Sequence, residues 1–163
     1  MKEKLENIKL AMFDFDDTLA FHKDRDYREH RKNDNSYFIE AYKYPEEFYE
    51  KIQPCIAPES MKNLVEYFRN RNIPIYCVSG MIFSIHFKAK EKFVHKHYGD
   101  DIEVFLASSQ ERKIDVVDIL KQIHQCSNEN ILFVDDNEKI IDKMKDIGIF
   151  ALTPDNVKNI SIS

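Results

Sequence analysis

Four short stretches hold the residue types that could do chemistry in this 163-residue chain: Asp14-Phe15-Asp16-Asp17-Thr18, Ser79-Gly80, Lys113 and Asp135-Asp136-Asn137. If the fold drew Asp14, Asp16, Asp135 and Asp136 together, their charges would repel strongly unless cations compensated. A divalent metal and a lysine would meet that need. Oxygen ligands without histidine or cysteine favour a hard cation, so magnesium is the expected one. Each stretch also has an ordinary use. An Asp-rich segment suits a turn or a helix N-cap, and Ser79 could cap the helix after it. Lys88, Lys90, Lys92 and Arg112 compete with Lys113, which is preferred because it opens the apolar stripe that begins at Val116.

The elements around these residues explain how they would converge. Lys9–Phe13, Ile73–Val78, Ile102–Ala107, Ile131–Val134 and Ile149–Leu152 are short apolar runs, which predict strands buried on both faces. Between them the period changes to that of a helix. Met61, Leu64, Val65 and Phe68 form one stripe; Val116, Val117, Leu120 and Ile123 form a second; Ile140, Ile141, Met144 and Ile147 form a third. Met81–Tyr98 also reads as helical and stops at Gly99, while Gly148 stands where a helix C′ residue is expected. Strands alternating with helices predict an α/β fold, a Rossmann-like three-layer sandwich with a five-stranded parallel sheet. Ligands of such sheets bind at the strands' C-terminal ends, which is where the polar stretches fall.

As a set, Asp-x-Asp-x-Thr after the first strand, Ser79 after the second, Lys113 ahead of the fourth and Asp-Asp after it resemble the haloacid dehalogenase-like superfamily, and in particular its phosphatases. The resemblance covers nearly the whole chain outside the 21–56 segment. It implies a magnesium-dependent phosphatase that hydrolyses a phosphate monoester through an aspartyl-phosphate. Asp14 would be the nucleophile. Asp16 would protonate the leaving group and then deprotonate the attacking water. Thr18, Ser79 and Gly80 would serve the phosphate, Thr18 by fixing the turn with a hydrogen bond and Ser79 by donating to a phosphoryl oxygen. Lys113 would neutralise Asp14 and the phosphoryl charge. The metal would be held by Asp14, by the Asp16 carbonyl, and by Asp135 and Asp136, with Asp136 aligned to the direct ligand. Some features also resemble the compact magnesium-dependent phosphatases of the same superfamily.

The 21–56 segment does not join the alternation. It carries Tyr27, Tyr37, Phe38, Tyr42, Tyr44, Phe48 and Tyr49, and a basic cluster of Lys23, Arg25, Arg28, Arg31 and Lys32. Its length predicts an insertion with helix around Ser36–Ile52, and the resemblance implies that this insertion forms a small cap over the site. The basic cluster is then either a solvated surface or a grip on an anionic part of the substrate.

Composition narrows the class. Hydrophobic residues at 43% and charged residues at 33% fit a single globular domain spanning 1–163. A net charge of −5 argues against a dedicated nucleic-acid binder. No apolar run approaches a membrane span. Three cysteines without a CxxC pair exclude a cysteine zinc site and suggest a reducing compartment, so a cytoplasmic location is expected. Cys77 reads as a core residue, and the six histidines as surface residues. The substrate expected is a phosphate monoester on a small molecule or a phosphoprotein. Phosphotransferases and mutases of the superfamily would use the same residues. A phospho-accepting signalling module is disfavoured, because the third strand ends in Ala107-Ser108-Ser109 without an acceptor Asp. A dehalogenase is disfavoured by Asp16.

Overall fold

A computed structural model of the chain describes residues 2–24, 26, 29, 34–80 and 83–160. Five strands form one parallel sheet: β1 (Leu10–Phe13), β4 (Ile75–Gly80), β5 (Glu103–Ala107), β6 (Ile131–Val134) and β7 (Phe150–Leu152), in the order β5-β4-β1-β6-β7. The five apolar runs thus become the five parallel strands expected. Every residue of β1 and β6 is buried, as central strands covered on both faces require. Pairing of Phe13 with Val134 aligns the C-terminal ends of β1 and β6, and its pairing with Cys77 lets β4 run on to Gly80 beside them. Asp14, Ser79 and Asp135 therefore emerge at one edge. The chain runs outward from β1 through β4 to β5 and then returns to β6, so the order reverses between β1 and β6. A crevice for a ligand is expected at that reversal.

Side-chain alternation divides the core between the two faces of the sheet. With α1 as Lys2–Glu6 and α2 as Ser36–Lys43, Ala11 and Phe13 of β1 pack in one cluster with Leu64 and Phe68 of the helix α3 (Glu59–Arg69) and with Phe93 and Val94 of the helix α4 (Phe87–Tyr98). Leu10 and Met12 pack in the other with Val117 and Leu120 of the helix α5 (Lys113–Ile123) and with Ile140, Ile141 and Met144 of the helix α6 (Glu138–Asp146). The stripe helices form as expected, but Ile123, the last residue of its helix, is 63% exposed, and Ile147, just past the end of its helix, is 37% exposed.

Two residues on either side of the 21–56 segment pair as antiparallel strands, β2 (Phe21–His22) with β3 (Cys55–Ile56). Between them Ser36–Lys43 is helical, Pro45–Glu47 forms a further turn, and Phe48–Ile52 winds as a π-helical turn. The helix expected over 36–52 is broken at Pro45, whose missing N–H cannot continue the ladder. Phe48 and Tyr49 are buried, and Tyr49 meets Phe15 edge-on at 5.1 Å. The segment thus packs directly on the turn that follows β1. Among the described residues, no helix is long and apolar enough to cross a membrane.

Candidate functional site

The turn after β1 is built by main-chain hydrogen bonds. Leu19 N–H donates to the Asp14 carbonyl, Ala20 N–H to Phe15 and Asp17 N–H to Ala20. Asp17 takes φ 55°, a left-handed conformation that Asp tolerates. This carries Asp14 and Asp16 to the sheet edge. Thr18 is fully buried inside the turn, and its Oγ1 has no hydrogen-bond partner among the described residues. The hydrogen bond expected from its side chain is therefore not made, because the backbone closes the turn by itself. Thr18 also lies away from the cleft described below.

Lys113, at the start of α5, is completely buried and donates to Asp14 Oδ1 and to Asp135 Oδ2, each at 2.7 Å. Burial alone would favour the neutral amine, but the charges of Asp14 and Asp135 outweigh it and hold Lys113 above the ordinary lysine range. Asp135 follows β6, and its Oδ1 accepts from Asn137 N–H at 2.9 Å. Burial, and then the Asp14 charge, push the Asp135 carboxyl up to about 7 against the opposing pull of Lys113. Asp136 is exposed. Carboxylate oxygens of Asp14, Asp135 and Asp136 all lie within 4.8 Å of one another. This set has the oxygen chemistry and the spacing to hold a hard divalent cation, and its surplus negative charge is what such an ion would offset.

The Asp16 carboxylate is not part of that group. It faces Lys90, whose Nζ donates to Asp16 Oδ2 and to Ser79 Oγ, each at 2.7 Å. Lys90 is 3% exposed. It ranks in the sequence only as a rival of Lys113, and the signal that marks it is its position one turn before Phe93 and Val94 on the buried face of α4. Ser79 is 1% exposed and is held by this lysine, so its hydroxyl already has a cationic donor.

A cleft of about 550 Å³ opens over these groups. Asp14, Asp16, Asp136 and Gly80 line it, together with Ser108, Ser109 and Gln110 from the loop after β5. A β-carbon at Gly80 would meet the Gln110 side chain at 2.7 Å, so a glycine keeps this approach open. Tyr37, Phe38, Ala41 and Tyr49 of the 21–56 segment also line the cleft. Arg25, Arg28, Arg31 and Lys32 of the basic cluster lie outside the described residues, as does Met81 at the start expected for α4.

Two histidines depart from the surface positions expected. His22 is buried between the Tyr37 hydroxyl, at 3.0 Å from Nε2, and Cys55 Sγ, at 3.2 Å from Nδ1. His86 is buried beside the cleft. Cys77 is fully buried mid-strand, where burial pushes its thiol up and keeps it unreactive.

Solved structures share this fold. An enzyme of the haloacid dehalogenase (HAD) family from Bacteroides thetaiotaomicron, in complex with magnesium and inorganic phosphate, superposes with a TM-score of 0.56 over 90% of this chain and 93% of its own, at 17% identity. The fold is the haloacid dehalogenase fold. A haloacid dehalogenase-like hydrolase from Xanthomonas campestris shares it at TM-score 0.56 and 13% identity, covering 89% of this chain and 80% of its own. A HAD-superfamily hydrolase from Ehrlichia chaffeensis does so at TM-score 0.54 and 17% identity, over 90% and 86%. No protein-family profile matches the sequence, and no curated protein is similar to it.

Proposed function

We propose that this chain is a magnesium-dependent phosphatase that hydrolyses a phosphate monoester through an aspartyl-phosphate on Asp14. The observation that carries the reading is the buried Lys113 joining Asp14 to Asp135 within the carboxylate group at the β1/β6 edge. The Bacteroides enzyme of the same fold binds magnesium and inorganic phosphate, which supports the choice of ligands. Asp14, Asp135 and Asp136 would hold the magnesium ion, which would supply positive charge against the carboxylates and the phosphoryl oxygens.

In the first step an oxygen of Asp14 forms a bond to phosphorus as the bond from phosphorus to the leaving oxygen breaks. Asp16, when protonated, gives its proton to that leaving oxygen. In the second step the Asp16 carboxylate takes a proton from a water whose oxygen attacks phosphorus, and the Asp14–phosphorus bond breaks to return the free carboxylate. Lys113 holds Asp14 in place and offsets the charge that accumulates beside it. The 21–56 segment acts as a small cap, with Tyr37, Phe38 and Tyr49 lining the cleft.

Purified protein should release phosphate from p-nitrophenyl phosphate in the presence of magnesium and lose that activity in excess chelator. Asp14→Asn should reduce turnover below detection, because an amide is a poor nucleophile and a weak metal ligand. Activity in chelator, or wild-type rates from Asp14→Asn, would overturn the reading.

A further inference from the structure

Lys90 occupies a position that the helix pattern reserves for an apolar side chain. On α4 it shares the buried face with Ala89, Phe93 and Val94, while Lys88 and Lys92 point outward. Lysine is almost never fully buried unless it is paired. Here the ammonium is paired twice, with Asp16 Oδ2 and Ser79 Oγ, and it lies 4.9 Å over the ring of Phe15, the residue between Asp14 and Asp16. Phe15 is itself clamped edge-on by Tyr49 at 5.1 Å and Phe93 at 5.5 Å, so the ammonium has a rigid seat.

We infer that Lys90 is a positioning residue that holds the Asp16 carboxylate on the leaving-group side of the site, with the Ser79 hydroxyl serving as the second anchor of its ammonium. Lys113 serves the opposite side, where it binds Asp14 and Asp135. Two lysines and one divalent cation then offset the charges of Asp14, Asp16, Asp135 and Asp136 together, where a single lysine leaves one charge over. The inference rests on the reading of Asp16 as the acid–base group.

This division of labour has a consequence that a purely structural lysine would not produce. A leaving alkoxide needs the proton that Asp16 delivers, whereas p-nitrophenolate leaves without it. Misplacing Asp16 must therefore harm a substrate with a poor leaving group selectively.

The test compares kcat/KM for benzyl phosphate and p-nitrophenyl phosphate in the presence of magnesium. Lys90→Met keeps much of the stem and removes the charge. It should lose roughly a hundredfold on benzyl phosphate and no more than about threefold on p-nitrophenyl phosphate, the scale of a general-acid contribution. Lys90→Met leaves Asp16 without its counter-charge; should that variant not fold, Asp16→Asn/Lys90→Met removes both charges and is compared with Asp16→Asn alone. If Lys90 acts through Asp16, the double variant shows no further loss on benzyl phosphate, since the two changes then remove the same function. Equal losses on both substrates, no loss on either, or an additive further loss in the double variant would overturn the inference. Wild-type protein that turns over neither substrate with magnesium would instead overturn the phosphatase reading on which it rests.

Discussion

His86 packs its ring against Phe83 at 5.8 Å, and its Nε2 is buried without a hydrogen-bond partner among the described residues. Burial first, and the nearby Lys90 charge second, hold its pKa below the ordinary 6.5. As pH falls through that ordinary value, the unfolded chain takes up a proton that the folded chain refuses. Stability from this residue is therefore present above 6.5 and is lost on acidification toward the folded pKa. His86→Phe removes the titrating group and keeps a ring in the pocket. Its melting temperature should fall less than that of the wild type between about pH 7.5 and about pH 5.5. Parallel losses in the two proteins would show that His86 does not drive the acid sensitivity.

The helices matter to the site mainly through their first turns. Asn137 caps α6 with its side chain, which accepts from Lys139 N–H at 3.1 Å, and its own N–H donates to Asp135 at 2.9 Å. One residue thus starts the helix and steadies a carboxylate of the cluster. Asn137→Ala removes the side-chain cap and keeps the backbone donor, so it should cost about 1 kcal/mol. The loss should appear as a lower urea midpoint with an unchanged m-value, since the same surface is exposed on unfolding. An unchanged midpoint would mean that solvent replaces the cap at no cost. α5 does its positioning differently: its first residue, Lys113, is driven inward beside Val117 and Leu120, so helix packing and charge pairing hold the same end.

For the whole molecule, the carboxylate group links metal binding to folding. Asp14 and Asp135 are buried beside each other with one lysine between them, so the apo protein carries electrostatic repulsion that a divalent cation would relieve. Magnesium bound to the folded state alone should stabilise it by about 2.7 kcal/mol at a hundredfold excess over the dissociation constant. Asp136 is the exposed member of the group, so Asp136→Asn tests this with least disturbance to packing. The variant should lose the magnesium-dependent rise in melting temperature and melt no lower than the wild type without metal. A wild-type melting temperature indifferent to millimolar magnesium would contradict the picture.

Local periodicity was enough to locate the five strands and the Met61, Val116 and Ile140 stripes, because each depends on neighbours within a few residues. The order of the polar stretches, and their place at strand ends, followed from the same pattern. What the chain does at long range was decided only by packing. Lys90 and Lys92 both stand in the sequence only as rivals of Lys113, yet one is buried against Asp16 and the other pairs with Glu50 at the surface, because the crossing of α4 over the sheet decides what its inward face meets. Packing of the 21–56 segment buries His22 and brings Tyr37 and Tyr49 to the cleft, contacts between residues far apart along the chain that composition does not encode. Asp14 and Asp16 stand two residues apart, but each finds its lysine on a different helix: Asp14 pairs with Lys113 on α5 and Asp16 with Lys90 on α4. Charge pairing across nearly a hundred residues depends on where folded helices end, and that is settled by the core beneath them.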